Sequence, residues 1–217
     1  YHSIGGHIHP LKYALGLADA ATSLGVNIFE NSQAIKITEE KSFVEVLTKN
    51  GKIKAKNIAL CCNAYLDELN SNIRNKIMPI INYMIATKPL NNEHQDVVLP
   101  SDYCVSDTNF DLNYYRLSAD KRMIFGGGVS YSLRHTAKLA SNTEKRMHRV
   151  FPMLSNYKAE YIWGGYVGIT VNRTLDIGQS SRRIFYAHGF SGHGVALTGI
   201  AGKVIAEAVF SQVIKVY

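Results

Sequence analysis

The sequence predicts an α+β fold, and three observations carry that prediction. Apolar residues recur at helical steps near the start, β-branched runs separated by turn signals fill the middle, and a strand, a glycine-rich turn and a long apolar helix close the chain. With 217 residues and 46% hydrophobic content, the chain buries a sizeable core as one large domain or two small ones.

Over residues 10–24, Leu11, Ala14, Leu15, Ala18, Ala21 and Leu24 fall three or four positions apart. Pro10 suits a first helical turn and Gly25 a stop, so the segment reads as an amphipathic helix. A short strand is expected at 26–29, which implies a helix packed on a sheet. Further strands are expected at 34–38, 43–48 and 53–61, the last two joined as a hairpin through Asn50-Gly51. Beyond residue 75 the character changes. Strand-like runs at 77–87, 103–106, 112–117 and 123–125 are separated by Lys88-Pro89, Leu99-Pro100 and Asp120-Lys121, a pattern of an antiparallel sheet and not of βαβ repeats. A helix over 142–151, stopped by Pro152, follows this sheet. The final third carries strands at 157–171 and 184–187 and a helix at 195–213. Residues 1–76, 77–160 and 161–217 are the expected segments, the third returning to the domain of the first.

The 24 Lys and Arg against 17 Asp and Glu give a formal charge of +7, but the basic residues do not cluster. The densest groups, at 49–56 and 145–149, read as solvated faces, and no nucleic-acid partner is expected. Cys61, Cys62 and Cys104 lack metal-ligand spacing and suggest reduced, partly buried thiols in a cytoplasmic protein. No spanning segment or leader is expected, hence no membrane partner. Neither His7 and His9 nor His188 and His193 have a carboxylate or cysteine at a metal-like interval, so no metal site is expected. The chain opens without a methionine, directly on a glycine pair, and reads as a piece of a longer polypeptide.

The most informative stretch is Gly189-Phe190-Ser191-Gly192-His193-Gly194. A buried strand, glycines at nearby positions and then a helix aim free backbone N–H groups and the positive end of a helix dipole at one point, which suits an anionic group. Glycines there also serve tight packing alone, and spacing does not separate the two readings.

Residues 186–195, followed by Ala196-Leu197-Thr198-Gly199-Ile200-Ala201-Gly202, resemble the carboxyl-terminal flavin signature of the D-amino-acid-oxidase superfamily. His7 to Leu17, Ala34-Ile35-Lys36-Ile37 and Cys61-Cys62-Asn63-Ala64-Tyr65 fit the same superfamily in order and spacing. Residues 79–87 and Tyr161-Ile162-Trp163-Gly164-Gly165 are similar to gamma-glutamylputrescine oxidases and their relatives. The resemblance implies part of an FAD-binding α/β domain joined to an antiparallel-sheet substrate domain, of the FAD-linked reductase C-terminal type. It implies that Ala34, Asn63, Gly165, Gly192, His193, Gly194 and Val195 meet the cofactor, with the helix start facing the pyrimidine end of the ring system. Reduced flavin carries negative charge there, which preorganised donors stabilise.

Departures from the superfamily pattern narrow the chemistry. Amino-acid oxidases of this group place an arginine two residues after the glycine of their tryptophan-x-glycine strand to clamp an α-carboxylate. Here that position is Val167, which favours a primary or secondary amine without an adjacent carboxylate. Arg173 is a substitute cation, though an arginine beside a turn also serves as a surface residue. Residues 163–170 contain no cysteine, so FAD is expected to be held noncovalently. The GxGxxG fingerprint is expected upstream, because Gly126-Gly127-Gly128 has the wrong spacing for it. The substrate candidates are His9, also a possible flavin neighbour, with Tyr83, Tyr115, Arg116, Trp163 and Tyr166. An amine-binding pocket uses aromatic faces, but a sheet core needs such residues too. Hydride transfer from amine to flavin needs positioning more than acid–base help, so no side chain is named as catalytic. The expected partners are a small-molecule amine and the missing amino-terminal Rossmann segment, with oligomeric state open. The rival readings are a truncated remnant unable to hold FAD alone and a dehydrogenase using an acceptor other than oxygen.

Overall fold

The computed structural model of the chain describes residues 6–132 and 137–211, the side chains of 137–140 excepted. It forms two compact units. One comprises residues 8–79 and 167–211, the other residues 6–7, 80–132 and 137–166. The chain therefore starts one unit, builds the other and returns, with the divisions at 79/80 and 166/167.

The first unit opens with α1 (Pro10–Ser23), whose cap His9 accepts a hydrogen bond at Nδ1 from Lys12 N at 3.4 Å. Proline stands at its start, and Gly25, at φ +85°, turns the chain out of it. None of its residues is buried, and Leu11, Leu15 and Leu17 on it are exposed. No strand forms over 26–29, contrary to expectation. β1 (Ala34–Glu39), β2 (Val44–Thr48) and β3 (Gly51–Ala55) form an antiparallel meander, with Thr48 opposite Gly51 at the turn. The run expected over 53–61 breaks in two, because β4 (Ile58–Leu60) leaves the meander and joins another sheet. After the short α2 (Ser71–Arg74), capped by Asn70, the chain enters the second unit.

That unit is built on a five-stranded sheet. In chain order its elements are β5 (Met78–Pro89), α3 (Asn92–Val98), β6 (Val105–Ser106), β7 (Tyr114–Leu117), β8 (Arg122–Ser130), α4 (Ala137–Val150) and β9 (Ala159–Ile169). The strand order is β6-β7-β8-β5-β9, and the pairs β6/β7, β7/β8 and β8/β5 are antiparallel. Ile85, Leu117, Met123, Phe125, Met147 and Leu154 form the centre of its core, which places α4 against one sheet face. Burying a side chain of this size stabilises by about 1.5–3 kcal/mol. Two arginines are spent inside this unit. Arg122 pairs with Asp120 and Glu160 and lies over the Tyr161 ring, and Arg146 pairs with Asp111.

The chain then returns to complete the first unit with β10 (Asp176–Ser181), β11 (Ile184–His188) and α5 (Gly194–Ser211). Their sheet has the order β10-β11-β4, with β11 antiparallel to β10 and parallel to β4. Every residue of β11 is buried. Ile184 and Tyr186 pack with Leu60, Leu66 and Ile73 on one side, while Phe185 and Ala187 pack with Ala201, Ile205 and Ala208 of α5 on the other. A central strand covered on both faces reads as an apolar run, as this one does over residues 184–187 before the buried His188.

α5 is 18 residues long. Over its 18 residues the mean hydropathy is 1.4, so by length and composition it is apolar enough to cross a membrane. Alanine and glycine raise that mean without an unbroken run of large apolar residues. The helix also carries Lys203 and Glu207, 4.0 Å apart, and packs Ala201, Ile205 and Ala208 into the core. The three cysteines are unpaired; Cys62 is partly buried as expected, while Cys61 and Cys104 are exposed.

Candidate functional site

In the first unit the glycine-rich turn joins β11 to α5. Gly189 has φ +70°, and a Cβ there would meet Thr170 Cγ2 at 2.2 Å, so this position requires glycine on both counts. Ser191 and Gly192 follow with φ +50° and +96°. The turn is tied at several points. Asn63 Oδ1 accepts from Gly189 N at 2.9 Å, Ser191 N donates to Gly168 O at 3.0 Å, and His193 N donates to Phe190 O at 2.8 Å. Asn63 itself has φ +49°, a left-handed conformation that asparagine tolerates better than most residues. The strand-end motif thus contributes Asn63 as the clamp of the turn.

Helical bonding resumes with Leu197 N to His193 O at 3.1 Å, so the amides of the first turn precede the helix's own ladder. Gly192, His193 and Val195 are exposed, Gly194 half-buried, and nothing lies within 4 Å of a Cβ built on Gly192. An accessible helix start and open space at a glycine fit the electron-rich edge of a flavin. Ala34 stands at the head of β1, beside a register shift between Ala34 and Lys36.

Behind the turn lies a buried polar group that sequence reasoning did not single out. His188, 2% exposed, places Nε2 2.7 Å from Asp176 Oδ2. Asp176 Oδ1 accepts from the Tyr186 hydroxyl at 3.2 Å, and that hydroxyl accepts from Lys76 Nζ at 2.8 Å. Burial pushes the His188 pKa below its ordinary value, against the pull of Asp176. The imidazole is therefore neutral, with Nε2–H donating to the carboxylate, and the contact is a hydrogen bond more than an ion pair. Its Nδ1 finds no partner among the described residues.

In the second unit the parity of β7 decides which candidates come together. Tyr115 stacks on Phe125 at 5.4 Å and meets Phe151 edge-on at 5.0 Å. It packs, half-buried, against the core beside α4, the structural role that an aromatic in a sheet also fills. Tyr114 and Arg116 point to the opposite face. There the Tyr114 hydroxyl bonds Asn82 Oδ1, and Gly126 is covered so closely by the Tyr114 ring and Met84 Sδ that a Cβ would lie 2.2 and 2.4 Å from them. Burial pushes the Tyr114 pKa up to about 12, so the hydroxyl stays protonated at neutral pH. Tyr114, Asn82 and Met84 were missed. Period-two alternation from the apolar Leu117 was the signal that separates Tyr114 from Tyr115.

The remaining candidates are scattered. Tyr83 is buried, with its ring 3.1 Å from a Cβ built on Gly164. Trp163 is exposed and Tyr166 half-buried on β9, and Gly165 has nothing within 4 Å of a built Cβ. His9 caps α1, and Arg173 sits in a turn at φ +58°. Among the described residues no cluster of three His, Cys, Asp or Glu could hold a metal ion.

Known proteins resemble this chain in sequence and in fold. The profile of the family described as "FAD dependent oxidoreductase" (DAO) matches residues 1–208. "Probable oxidoreductase OrdL" of Haemophilus influenzae is 43% identical over 98% of the chain and 49% of its own length. "Gamma-glutamylputrescine oxidoreductase" of Escherichia coli is 37% identical over 94% of the chain and 48% of its own length. Among solved structures, L-proline dehydrogenase from P. horikoshii superposes with a TM-score of 0.77 at 21% identity, over 95% of this chain and 56% of that one. Glycine oxidase from Geobacillus kaustophilus gives 0.77 at 18%, over 94% and 54%. At those identities the structures support the fold alone. The chain belongs to the FAD-dependent oxidoreductase (DAO) family, and it spans about half the length of the curated relatives it matches.

Proposed function

We propose that the whole protein is a flavin-dependent amine oxidoreductase acting on a primary or secondary amine of the gamma-glutamylputrescine kind, with FAD held noncovalently. The observation that carries this reading is the accessible start of α5 behind a turn fixed by Asn63, Gly168 and Phe190. Gly192, His193, Gly194 and Val195 would hold the pyrimidine edge, with Ala34 and Asn63 from the same unit as further contacts. When bound, the flavin supplies the two-electron acceptor that converts the amine to an imine, which water then hydrolyses. The chain's own part is to fix donors at the cofactor's electron-rich edge, to shape the amine site and to exclude water.

Three observations support the finer points. Val167 stands where an α-carboxylate clamp would be an arginine, which favours an amine carbon without a neighbouring carboxylate. Residues 163–170 hold no cysteine for a covalent flavin link. Leu11, Leu15 and Leu17 on α1, with Ile200 and Phe210 on α5, are exposed apolar residues of the kind that another element of a longer polypeptide covers. We assign that role to an amino-terminal dinucleotide-binding segment. We place the protein in the cytoplasm, with α5 as a packed helix of the flavin unit.

The test is to mix the full-length protein anaerobically with polyamines, their glutamyl conjugates and N-methyl amino acids, and then to admit oxygen. Bleaching of the flavin by an amine, with peroxide on reoxidation, supports the reading. Bleaching without peroxide indicates another electron acceptor, and a colourless protein that takes up no FAD contradicts it in favour of a non-catalytic remnant.

A further inference from the structure

We propose that Arg116 recognises a carboxylate on the substrate, distant from the carbon that is oxidised. This rests on the amine-oxidation reading above and deepens it by naming a second group that the substrate carries.

The observations concern one residue and its surroundings within one unit. Arg116 projects from β7 on the face opposite the core, the same face as Tyr114, Asn82 and Met84. It is half-buried, so its guanidinium is fixed without being sealed off. Its Nη1 donates to His7 Nδ1 at 2.7 Å, and His7 Nε2 lies 3.0 Å from the backbone oxygen of Asp102. That chain assigns the tautomer: His7 donates through Nε2–H and accepts at Nδ1, so it positions Arg116 as a neutral acceptor.

Charge accounting separates Arg116 from its neighbours. Arg122 is neutralised by Asp120 and Glu160, and Arg146 by Asp111. No carboxylate among the described residues lies within 4 Å of the Arg116 guanidinium. The nearby Asp102 carboxylate stands 3.7 Å from His7 Nε2, on the far side of the ring from the arginine. A guanidinium carries five N–H donors in a planar fork that matches a carboxylate edge to edge, and the interaction with His7 occupies one of them. A partly desolvated cation held by a neutral side chain, with most of its fork unspent, is a receptor for an anion.

The same face offers the hydroxyl of Tyr114, which burial keeps protonated and Asn82 orients. Residues two apart on a strand are separated by about 6.8 Å, the reach of a short polar chain bonding both side chains. The substrate implied has its carboxylate at Arg116 and its oxidisable amine at a distance. That agrees with Val167 at the position that would bind a carboxylate beside the reacting carbon.

The test uses the full-length flavoprotein and two probes, γ-glutamylputrescine and the derivative with its α-carboxylate converted to the carboxamide. Arg116→Gln is expected to lower kcat/KM for the carboxylate roughly 10- to 150-fold, mainly through KM, the range for a lost charge-assisted hydrogen bond. The carboxamide should change by less than about threefold. Arg116→Lys should restore part of the carboxylate's advantage, since it keeps the charge and loses the fork. Equal losses on both probes, or no loss on either, would overturn the proposal. A second readout does not depend on turnover. Glutarate binding followed by calorimetry should be roughly tenfold or more weaker in Arg116→Gln than in the wild-type protein, and an identical response in both overturns the assignment. If no amine bleaches the flavin, the amine-oxidation reading fails on its own, and the glutarate titration still decides the role of Arg116.

Discussion

At the scale of the residue, His188 and Asn63 set the backbone from which the cofactor turn departs. His188 follows a sign rule. Its pKa in the folded protein lies below the ordinary value of 6.5, so as pH falls through that value the unfolded chain takes up the proton first. The stability that His188 contributes is present above this range and is lost as pH falls from about 6.5 toward the folded pKa, with a slope of up to about 1.4 kcal/mol per pH unit. Urea unfolding of the wild type and His188→Gln between pH 7.5 and 5.5 should show a shallower pH dependence in the variant, and parallel curves would contradict the assignment. Asn63→Ala removes the acceptor for Gly189 N and puts an alanine at φ +49°. It should cost about 2–4 kcal/mol, and Asn63→Gly less because the strain disappears while the lost bond remains. Equal costs for the two would show that the left-handed backbone stores nothing.

At the scale of the element, the turn between β11 and α5 allows little substitution. Gly189→Ala would press a methyl onto Thr170 Cγ2 at 2.2 Å in a backbone already at φ +70°. A loss of about 2–4 kcal/mol in thermal or urea unfolding is expected. Thr170→Ser in the same chain should recover part of it by removing Cγ2, and no recovery would place the cost in the backbone alone. The long elements were legible because each carries its own signal: Pro10 and Gly25 bracket the stride of α1, and the β11–glycine–α5 sequence reads directly. Elements that depend on distant partners were not. β4 pairs with β11, more than 120 positions later, so the run at 53–61 gave no hint of dividing. β10, Asp-Ile-Gly-Gln-Ser-Ser, is too polar to stand out, and α3 shows mainly its Asn91 cap. The expected strand at 26–29 lacked a neighbour among the described residues. The glycine turn between β11 and α5 was legible because glycine spacing is local. Tyr114 was missed because Tyr114-Tyr115 presents an aromatic to each face, and only the core partner of Leu117 fixes which one is inside.

At the scale of the whole molecule, the chain carries one unit whose buried sheet supports the cofactor turn and another whose antiparallel sheet displays Tyr114 and Arg116. The exposed leucines of α1 should lose accessibility in the full-length protein. Hydrogen exchange over residues 10–24 should therefore be slower there than in the 217-residue chain alone, and equal rates would mean that nothing covers the helix. The central claim is that the turn opening α5 holds the flavin. Gly192, at φ +96° with open space around its Cα, tests it without disturbing packing. FAD titrated into full-length apoprotein should bind roughly tenfold or more weakly to Gly192→Val than to wild type, because a β-branched residue cannot keep that backbone without strain. Wild-type protein that takes up no FAD, or a variant that binds it with unchanged affinity, would contradict the claim.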